Sequence, residues 1–309
     1  MTPVIETFNL CKTFNKVTAV DGLNLSVPEG SIYGFLGPNG AGKTTTIKML
    51  TGLSKPTKGN IRIFGKEVSF GSLKNRTDIG FLPDVPNFYN WMSPVEFLTF
   101  AGELFHIEKR VLEERIDSLL DLVGLSGVKK KTGSFSRGMK QRLGIAQALI
   151  NQPKVVFMDE PTSALDPIGR KEVMEIITKL SGKVTVFFSS HILSDIERVC
   201  DRVVILNKGR IVLEDSMEEL RNKYSNLVIA IETIPNENKL KLIEAIEKQE
   251  WADKVWNLEN GELRVHVRDM IKAQREIPGI ISHVGAPLKK FIMLEPTLED
   301  IFMKVVNMK

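Results

Sequence analysis

Gly37-Pro38-Asn39-Gly40-Ala41-Gly42-Lys43-Thr44 decides the fold. It fits the pattern of glycine, four free positions, glycine, lysine and a hydroxyl residue in full. Such a segment has meaning only between a strand and a helix, and both neighbours read that way. Ser31-Ile-Tyr-Gly-Phe-Leu is a short apolar run, and a helix follows from about Lys43 to Thr51. Gly37, Gly40 and Gly42 let the backbone curl with its N–H groups turned inward on a polyphosphate. The helix starting near Lys43 adds the positive end of its dipole. Lys43 then reaches the β- and γ-phosphates, and the Thr44 hydroxyl ligates Mg²⁺. Pro38, Asn39, Ala41 and Thr45 complete the cradle. The competing reading, a glycine turn with a surface lysine, leaves the flanking strand and helix unused. The segment reads as an ATP site.

Val155-Val-Phe-Met-Asp-Glu is its partner. The first four residues are continuously apolar, as in a parallel strand covered on both faces, and ligands bind beyond the carboxyl ends of such strands. Asp159 can hold Mg²⁺ directly or through water. Glu160, pointing elsewhere, can orient and deprotonate the attacking water. Alone, an acidic pair after a strand is also an ordinary helix cap; beside the glycine loop it reads as the catalytic half.

Further outward, residues 1–35 read as short strands and turns, and residues 59–70 as a hairpin closed at Gly65. From Ser93 to Leu149 the pattern turns helical. Val95, Leu98 and Phe105 are expected on one face, and Ile116, Leu119, Leu120 and Val123 on another. After Pro153, strands at 184–188 and 202–206 alternate with helices at 170–179 and 193–200, which gives a layered α/β core. Near Lys223-Tyr-Ser-Asn the style changes, and the domain boundary is placed at 224. Beyond it the expected order is a strand at 227–233, a helix at 238–250 and a hairpin turning at Asn260-Gly261. A helix at 269–277 and a strand at 280–284 complete a β-α-β-β-α-β ferredoxin-like sandwich. A last helix, capped by Thr297, puts Leu298, Ile301, Phe302 and Val305 on one face.

Composition narrows the class. With 309 residues, 42% hydrophobic and 26% charged, the chain is an ordinary globular one, of two domains or of one large α/β domain with an appendage. A net charge of +4 argues for neither nucleic acid nor an anionic membrane. Two cysteines, Cys11 and Cys200, make no disulfide framework and fit a cytosolic setting as core residues. The apolar runs are far shorter than the roughly 20 residues a bilayer needs, and the first residues lack a basic and apolar leader. If the protein works at a membrane, another chain must cross it.

Ser134-Phe-Ser-Arg-Gly-Met-Lys-Gln-Arg-Leu-Gly-Ile-Ala-Gln-Ala-Leu, upstream of the acidic strand, resembles the signature motif of ATP-binding-cassette (ABC) ATPases. By its own physics, Ser136 caps a helix whose dipole, with the Gly138 N–H, forms a second anion site. The resemblance implies that this site meets the γ-phosphate held by another protomer, two cassettes enclosing two ATPs head to tail. Ser163-Ala-Leu-Asp166 resembles the family's D-loop at that interface. His191, in Ser-Ser-His, resembles its switch histidine on the γ-phosphate. Phe14, in Lys-Thr-Phe-Asn-Lys, stands where the family stacks an aromatic on adenine, which needs only a π face. One position departs: in Gly80-Phe-Leu-Pro-Asp84 the family carries glutamine or glutamate. Asp84 is shorter and reaches the metal or the lytic water through an intervening water.

The tail, with Leu294-Glu-Pro-Thr-Leu-Glu-Asp-Ile-Phe-Met-Lys, resembles the ending of ABC-2-type export ATPases. The expected protein is therefore a P-loop α/β ATPase of residues 1–224, with an antiparallel β subdomain and a helical subdomain at about 85–150. An accessory α+β domain follows at 225–309, regulatory or dimer-supporting in one reading and a structural appendage in the other. The resemblance implies a homodimer or pseudo-dimer, peripheral on the inner face of the cell membrane, that drives a separate ABC-2-type permease. In the family, the zone around Phe88-Tyr-Asn-Trp-Met receives that permease's coupling helix; by its own chemistry the cluster also reads as a small core. The alternative class acts on ribosomes or DNA, and neither paired cassettes, a long coiled coil nor a basic stripe supports it. A plain P-loop kinase leaves Ser136, Asp166 and His191 together unexplained.

Overall fold

The computed structural model describes residues 3–71, 76–224, 227–234, 238–258, 261–294 and 297–307. Met1, Thr2, Ser225, Asn226, Asn260, Glu295, Pro296, Met308 and the Val305 side chain, which figure in the sequence readings, lie outside the described residues. The chain forms two compact units. One is built on residues up to Met217 together with the end of the chain from Phe302; the other is Glu218–Ile301.

The first unit opens with β1 (Pro3–Phe14), β2 (Val17–Leu23), β3 (Ser26–Pro28), β4 (Ile32–Leu36) and α1 (Lys43–Leu50). The hairpin of β5 (Lys58–Ile63) and β6 (Lys66–Glu67) follows, then β7 (Ile79–Leu82). The helices α2 (Pro94–Glu103), α3 (Lys109–Leu122) and α4 (Arg137–Leu149) come next. Strands and helices then alternate through β8 (Val155–Met158), α5 (Pro167–Lys179), β9 (Thr185–Ser190), α6 (Leu193–Val199), β10 (Arg202–Asn207) and β11 (Arg210–Ser216).

Two sheets result. β1, β2, β3, β5 and β6 form an antiparallel one. The other has the order β11-β10-β4-β9-β8-β7 and is parallel except at its β11 edge. Every residue of β4, β8 and β9 is buried. Helices cover both faces of such a sheet, so its strands need apolar side chains on both sides. Phe187 centres the core, 5.5 Å from the Tyr33 ring, 5.1 Å from Phe35 and 5.6 Å from Phe157. Register now matters for function. Leu36 pairs with Ser190 and Met158 with Phe188, so β4, β9 and β8 end side by side. The residues that leave those ends are Gly37, His191 and Asp159-Glu160.

In the helical part, Leu112, Ile116, Leu119, Leu120 and Val123 form the buried side of α3 and its C-cap, four of them at the expected spacing. α2 differs from expectation. Leu98 is buried as expected, but Val95 and Phe105 are exposed, and Pro94, Phe97, Ala101 and Gly102 are buried beside Leu98. Ser93 and Glu96 form a reciprocal capping box with Pro94 in the first turn, which fixes where the helix starts; the face it buries is the one packed against α3 and α4. Phe105 lies past its end.

The chain passes through α7 (Met217–Lys223) into the second unit, with β12 (Val228–Thr233), α8 (Asn238–Glu247), β13 (Ala252–Asn257), β14 (Glu262–Val267), α9 (Met270–Val284) and β15 (Leu288–Leu294); α10 (Leu298–Asn307) begins in this unit and ends in the first. The sheet of the second unit is antiparallel in the order β13-β14-β12-β15. Ile229, Ile231, Leu263 and Val265 share its core with Leu242 and Ile246 of α8 and Ala273, Ile277 and Ile281 of α9. The expected strand at 280–284 is the last part of α9, and the fourth strand is β15. The helix runs on past the expected end at 277, with Pro278 inside it. Ala273, Ile277 and Ile281, four residues apart, carry one buried stripe across it, and Gly285 at φ 68° ends the helix. Thr297 caps α10, its Oγ1 accepting the Asp300 N–H at 3.2 Å.

Candidate active site

At the strand ends lies a cavity of about 520 Å³. Its wall brings together Phe14, Asn39, Gly40, Gly42, Lys43, Thr44, Thr45, Asp84, Glu160 and His191 from five separate stretches of chain. Ala19 and Ser163 complete it.

The glycine loop is built by close approach. A Cβ on Gly37 would come within 2.5 Å of the Leu206 carbonyl oxygen, and one on Gly42, at φ 105°, within 2.4 Å of that of Ala19. Only glycine fits either place. Gly42 is the cap of α1 and offers no side-chain oxygen, so the first N–H groups of the helix remain open to an anionic ligand. Pro38 and Ala41 shape the loop from behind, the Ala41 N–H donating to the Pro38 carbonyl at 3.1 Å.

Lys43 is 5% exposed, and its ammonium is held by three oxygens, two backbone carbonyls and one carboxylate. It donates to the carbonyls of Gly37 at 2.7 Å and Pro38 at 3.2 Å and lies 3.0 Å from Glu160 Oε1. The other Glu160 oxygen, Oε2, is 2.8 Å from His191 Nδ1. Glu160 adopts φ 48°, a left-handed conformation that a side chain rarely takes, and this turns its carboxylate into the cavity while Asp159 stays behind it. Asp159 is 4% exposed. Its Oδ1 accepts the Thr44 hydroxyl at 3.1 Å and the Ser189 hydroxyl at 2.7 Å. Ser189 also accepts the Glu160 N–H at 3.0 Å, so one serine fixes both acids.

Thr44 and Asp159 together offer a hydroxyl and a carboxylate. Among the described residues no cluster of three or more His, Cys, Asp or Glu side chains could hold a metal. An all-protein cage is therefore absent there. Two hard oxygen donors beside a phosphate cradle suit Mg²⁺, which takes one or two protein oxygens and completes its shell with phosphate and water.

Phe14 is half-exposed at the rim, with Lys12 Nζ 4.8 Å from its ring centroid. Asp84 also faces the cavity, and Arg137 reaches it at 3.3 Å. Burial holds the Asp84 carboxyl above the ordinary carboxylate range; the Arg137 guanidinium opposes this, and Asp159 and Glu160 reinforce it.

Seven expected residues are not part of the cavity wall: Gly37, Pro38, Ala41 and Asp159, which belong to the loop and strand end just described, and Ser136, Gly138 and Asp166, which start other helices. Ser136 Oγ accepts the Met139 N–H at 3.2 Å and caps α4, and Gly138 follows on the same exposed turn. Asp166 caps α5, its Oδ1 accepting the Gly169 N–H at 3.2 Å. Sequence reading missed Ser189, Ala19 and Arg137. The serine doublet before His191 was a signal for the first; the others are brought in by folding alone.

Comparison with known proteins agrees on one group. The family described as ABC transporter matches residues 20–163, and that described as ATP-binding protein DrrA1-3-like, C-terminal domain, matches residues 216–306. The uncharacterized ABC transporter ATP-binding protein YxlF of Bacillus subtilis (strain 168) is 39% identical across 97% of this chain and 98% of its own length. The bacitracin transport ATP-binding protein BcrA of Bacillus licheniformis is 38% identical, over 99% and 98%. A solved structure titled as the ATP binding subunit of an ABC transporter superposes with a TM-score of 0.65 at 29% identity, over 72% of this chain and 93% of that one.

Proposed function

The chain belongs to the ABC transporter ATP-binding proteins, and from that membership we propose that it is the ATP-hydrolysing subunit of an exporter, driving a separate ABC-2-type permease. The observation that carries this reading is the convergence of Lys43, Thr44, Glu160 and His191 on one cavity, with a capped, exposed helix start at 136–138 outside it. One protomer thus has a phosphate cradle and, elsewhere, an anion-binding turn. Two copies placed head to tail bring each turn over the other's cradle.

The open amides of α1 and the Lys43 ammonium bind and orient the β- and γ-phosphates. Phe14 offers its free face to the adenine. Glu160, held between Lys43 and His191, takes the proton of the attacking water at a carboxylate oxygen. When phosphate enters, Lys43 exchanges Glu160 and the loop carbonyls for phosphate oxygens, which frees the carboxylate for that work. His191 holds Glu160 in place and contacts the γ-phosphate side. Thr44 and Asp159 would hold Mg²⁺, which supplies charge neutralisation to the transferred phosphoryl group. Asp84 approaches the lytic water or the metal through an intervening water.

We read residues 1–224 as the ATPase domain, its helical subdomain spanning about 85–150, and residues 225–309 as an accessory ferredoxin-like α+β domain that supports the dimer. An apolar groove of about 300 Å³ includes Leu53, Phe81, Leu104 and Phe105 in its lining. Together with the exposed Tyr89 and Trp91, it suits the coupling helix of the permease. Among the described residues no helix is long and apolar enough to cross a membrane, which fits a peripheral place on the inner face. The bacitracin relative supports export.

The test is co-expression with a candidate ABC-2-type permease, sought first in the neighbouring open reading frames. The expected result is co-purification from detergent-solubilised membranes and Mg²⁺-dependent ATP turnover that changes when the permease is present. Turnover that is fully Mg²⁺-independent, or a chain that neither binds nor responds to the permease, overturns the reading.

A further inference from the structure

Arg137 sits at the first position of α4, directly after its cap Ser136. A cation is disfavoured there, because the helix dipole already places positive charge at that end, and the first turn of α4 contains no acidic residue. The guanidinium instead turns to the cavity wall, with Nη2 3.3 Å from Asp84 Oδ1. The two side chains are about equally exposed, at 43% and 45%.

The pair is one of several ties between the same two segments. The Thr132 N–H donates to the Met92 carbonyl at 2.9 Å, the Thr132 hydroxyl to that of Tyr89 at 2.8 Å, and the Gly133 N–H to that of Asn90 at 3.2 Å. Lys131 pairs with Glu96 at 2.9 Å. The chain that leaves the cavity at Asp84 is thus fastened along its length to the chain that leads into α4. Two of these ties, from the Thr132 and Gly133 N–H groups, join backbone to backbone and hold whatever the side chains are. The Asp84–Arg137 contact is the one that touches the cavity.

We propose that Arg137 is a positioning residue for the ATP site: its guanidinium holds the Asp84 carboxylate at the cavity wall and so couples the start of α4 to turnover. The inference rests on the reading of the cavity as that site. It assigns Arg137 an action through Asp84 in its own protomer rather than on a phosphate of the other.

The experiment is a double-mutant cycle on the full-length chain, measuring kcat and KM for Mg·ATP in parallel with binding of a fluorescent ADP analogue. Asp84→Asn, Arg137→Met, Arg137→Lys and the Asp84→Asn/Arg137→Met double variant are compared. Exposed ion pairs are weak, so Arg137→Met is expected to lower kcat about two- to fivefold. KM and ADP binding stay within about twofold on the same argument. Arg137→Lys, which keeps a charge within reach, recovers most of the loss, and Arg137→Met has no further effect once Asp84→Asn is present. Equal losses from Arg137→Met in both backgrounds, a change confined to KM, or an Asp84→Asn variant that turns over normally each overturn the pairing while leaving the ATPase reading intact. Absence of turnover in the unaltered chain overturns both.

Discussion

Lys43 Nζ and Glu160 Oε1 lie 3.0 Å apart at the ends of two different strand-to-loop crossings, 117 positions apart in sequence. The ammonium proposed to bind phosphate and the carboxylate proposed to receive a proton are thus each other's counter-ions. Both are well buried, at 5% and 12% exposure. A buried ion pair with one member removed leaves an uncompensated charge.

Glu160→Gln is expected to keep nucleotide binding and to lower kcat by about 10²- to 10⁴-fold, the range for loss of a positioned general base. At saturating ATP the variant accumulates as a dimer, read by light scattering on a sizing column. Wild-type turnover in this variant would refute the base assignment.

Ser189→Ala removes one hydroxyl from two partners, the Asp159 carboxylate and the Glu160 N–H. Ser189 is fully buried, so no water replaces it without rearrangement. A loss of about 1–3 kcal/mol in unfolding free energy is expected from the orphaned groups, together with a rise in the Mg²⁺ concentration needed for half-maximal turnover. Urea unfolding and a Mg²⁺ titration check the two parts separately.

Phe14→Ala should weaken ATP binding about two- to tenfold, the equivalent of about 0.5–1.5 kcal/mol for an aromatic contact. Phe14→Tyr should leave it unchanged, because the π face is kept. The half-exposed ring makes a folding defect a poor explanation, and a thermal melt alongside the binding titration confirms this. Equal affinity for all three proteins removes Phe14 from the site.

Glu96 gives a pH dependence of known sign. The Ser93 N–H, and after it Lys131 and the Ser93 side chain, hold its carboxyl down at about 2, against an ordinary value of 4.5. A carboxyl lowered by folding contributes stability above its ordinary value and loses it as the pH falls toward the folded one. The urea midpoint of the parent should therefore exceed that of Glu96→Gln near neutral pH, and the gap should close between about pH 4.5 and 2. A gap that is constant over this range contradicts the capping-box assignment.

Much of the site was readable before any fold was known, because its chemistry is carried by contiguous residues. Residues 37–44 form their cradle through local backbone curvature, and the acids at 159 and 160 follow a strand that announces itself by continuous apolarity. Phe14, Asp84 and His191 could be placed only through resemblance, since an isolated aromatic, aspartate or histidine has no local pattern of its own. Ser189 and Arg137 escaped notice. Each works by meeting a residue that lies 29 to 53 positions away.

The same division runs through the fold. α2 starts at a local cap of Ser93 and Glu96, but the face it buries, around Phe97 and Ala101, is the one that meets α3 and α4. The extent of α9 depends on Ile281 joining a core supplied by four strands, which outweighs the interruption by Pro278. Propensity is a local quantity of a few tenths of a kcal/mol per residue for most side chains. Burial of one large apolar side chain is worth several times that, so distant packing wins where the two conflict.

Taken as a linear string, this chain establishes a phosphate-binding loop, two acids after a buried strand and the change to a second domain, because each is written in neighbouring residues. The meeting of Lys43, Glu160 and His191 in one cavity belongs to the folded molecule. It follows from the register of β4, β9 and β8, whose pairing sets three distant strand ends in a row, and long-range pairing of that kind leaves no mark in local sequence.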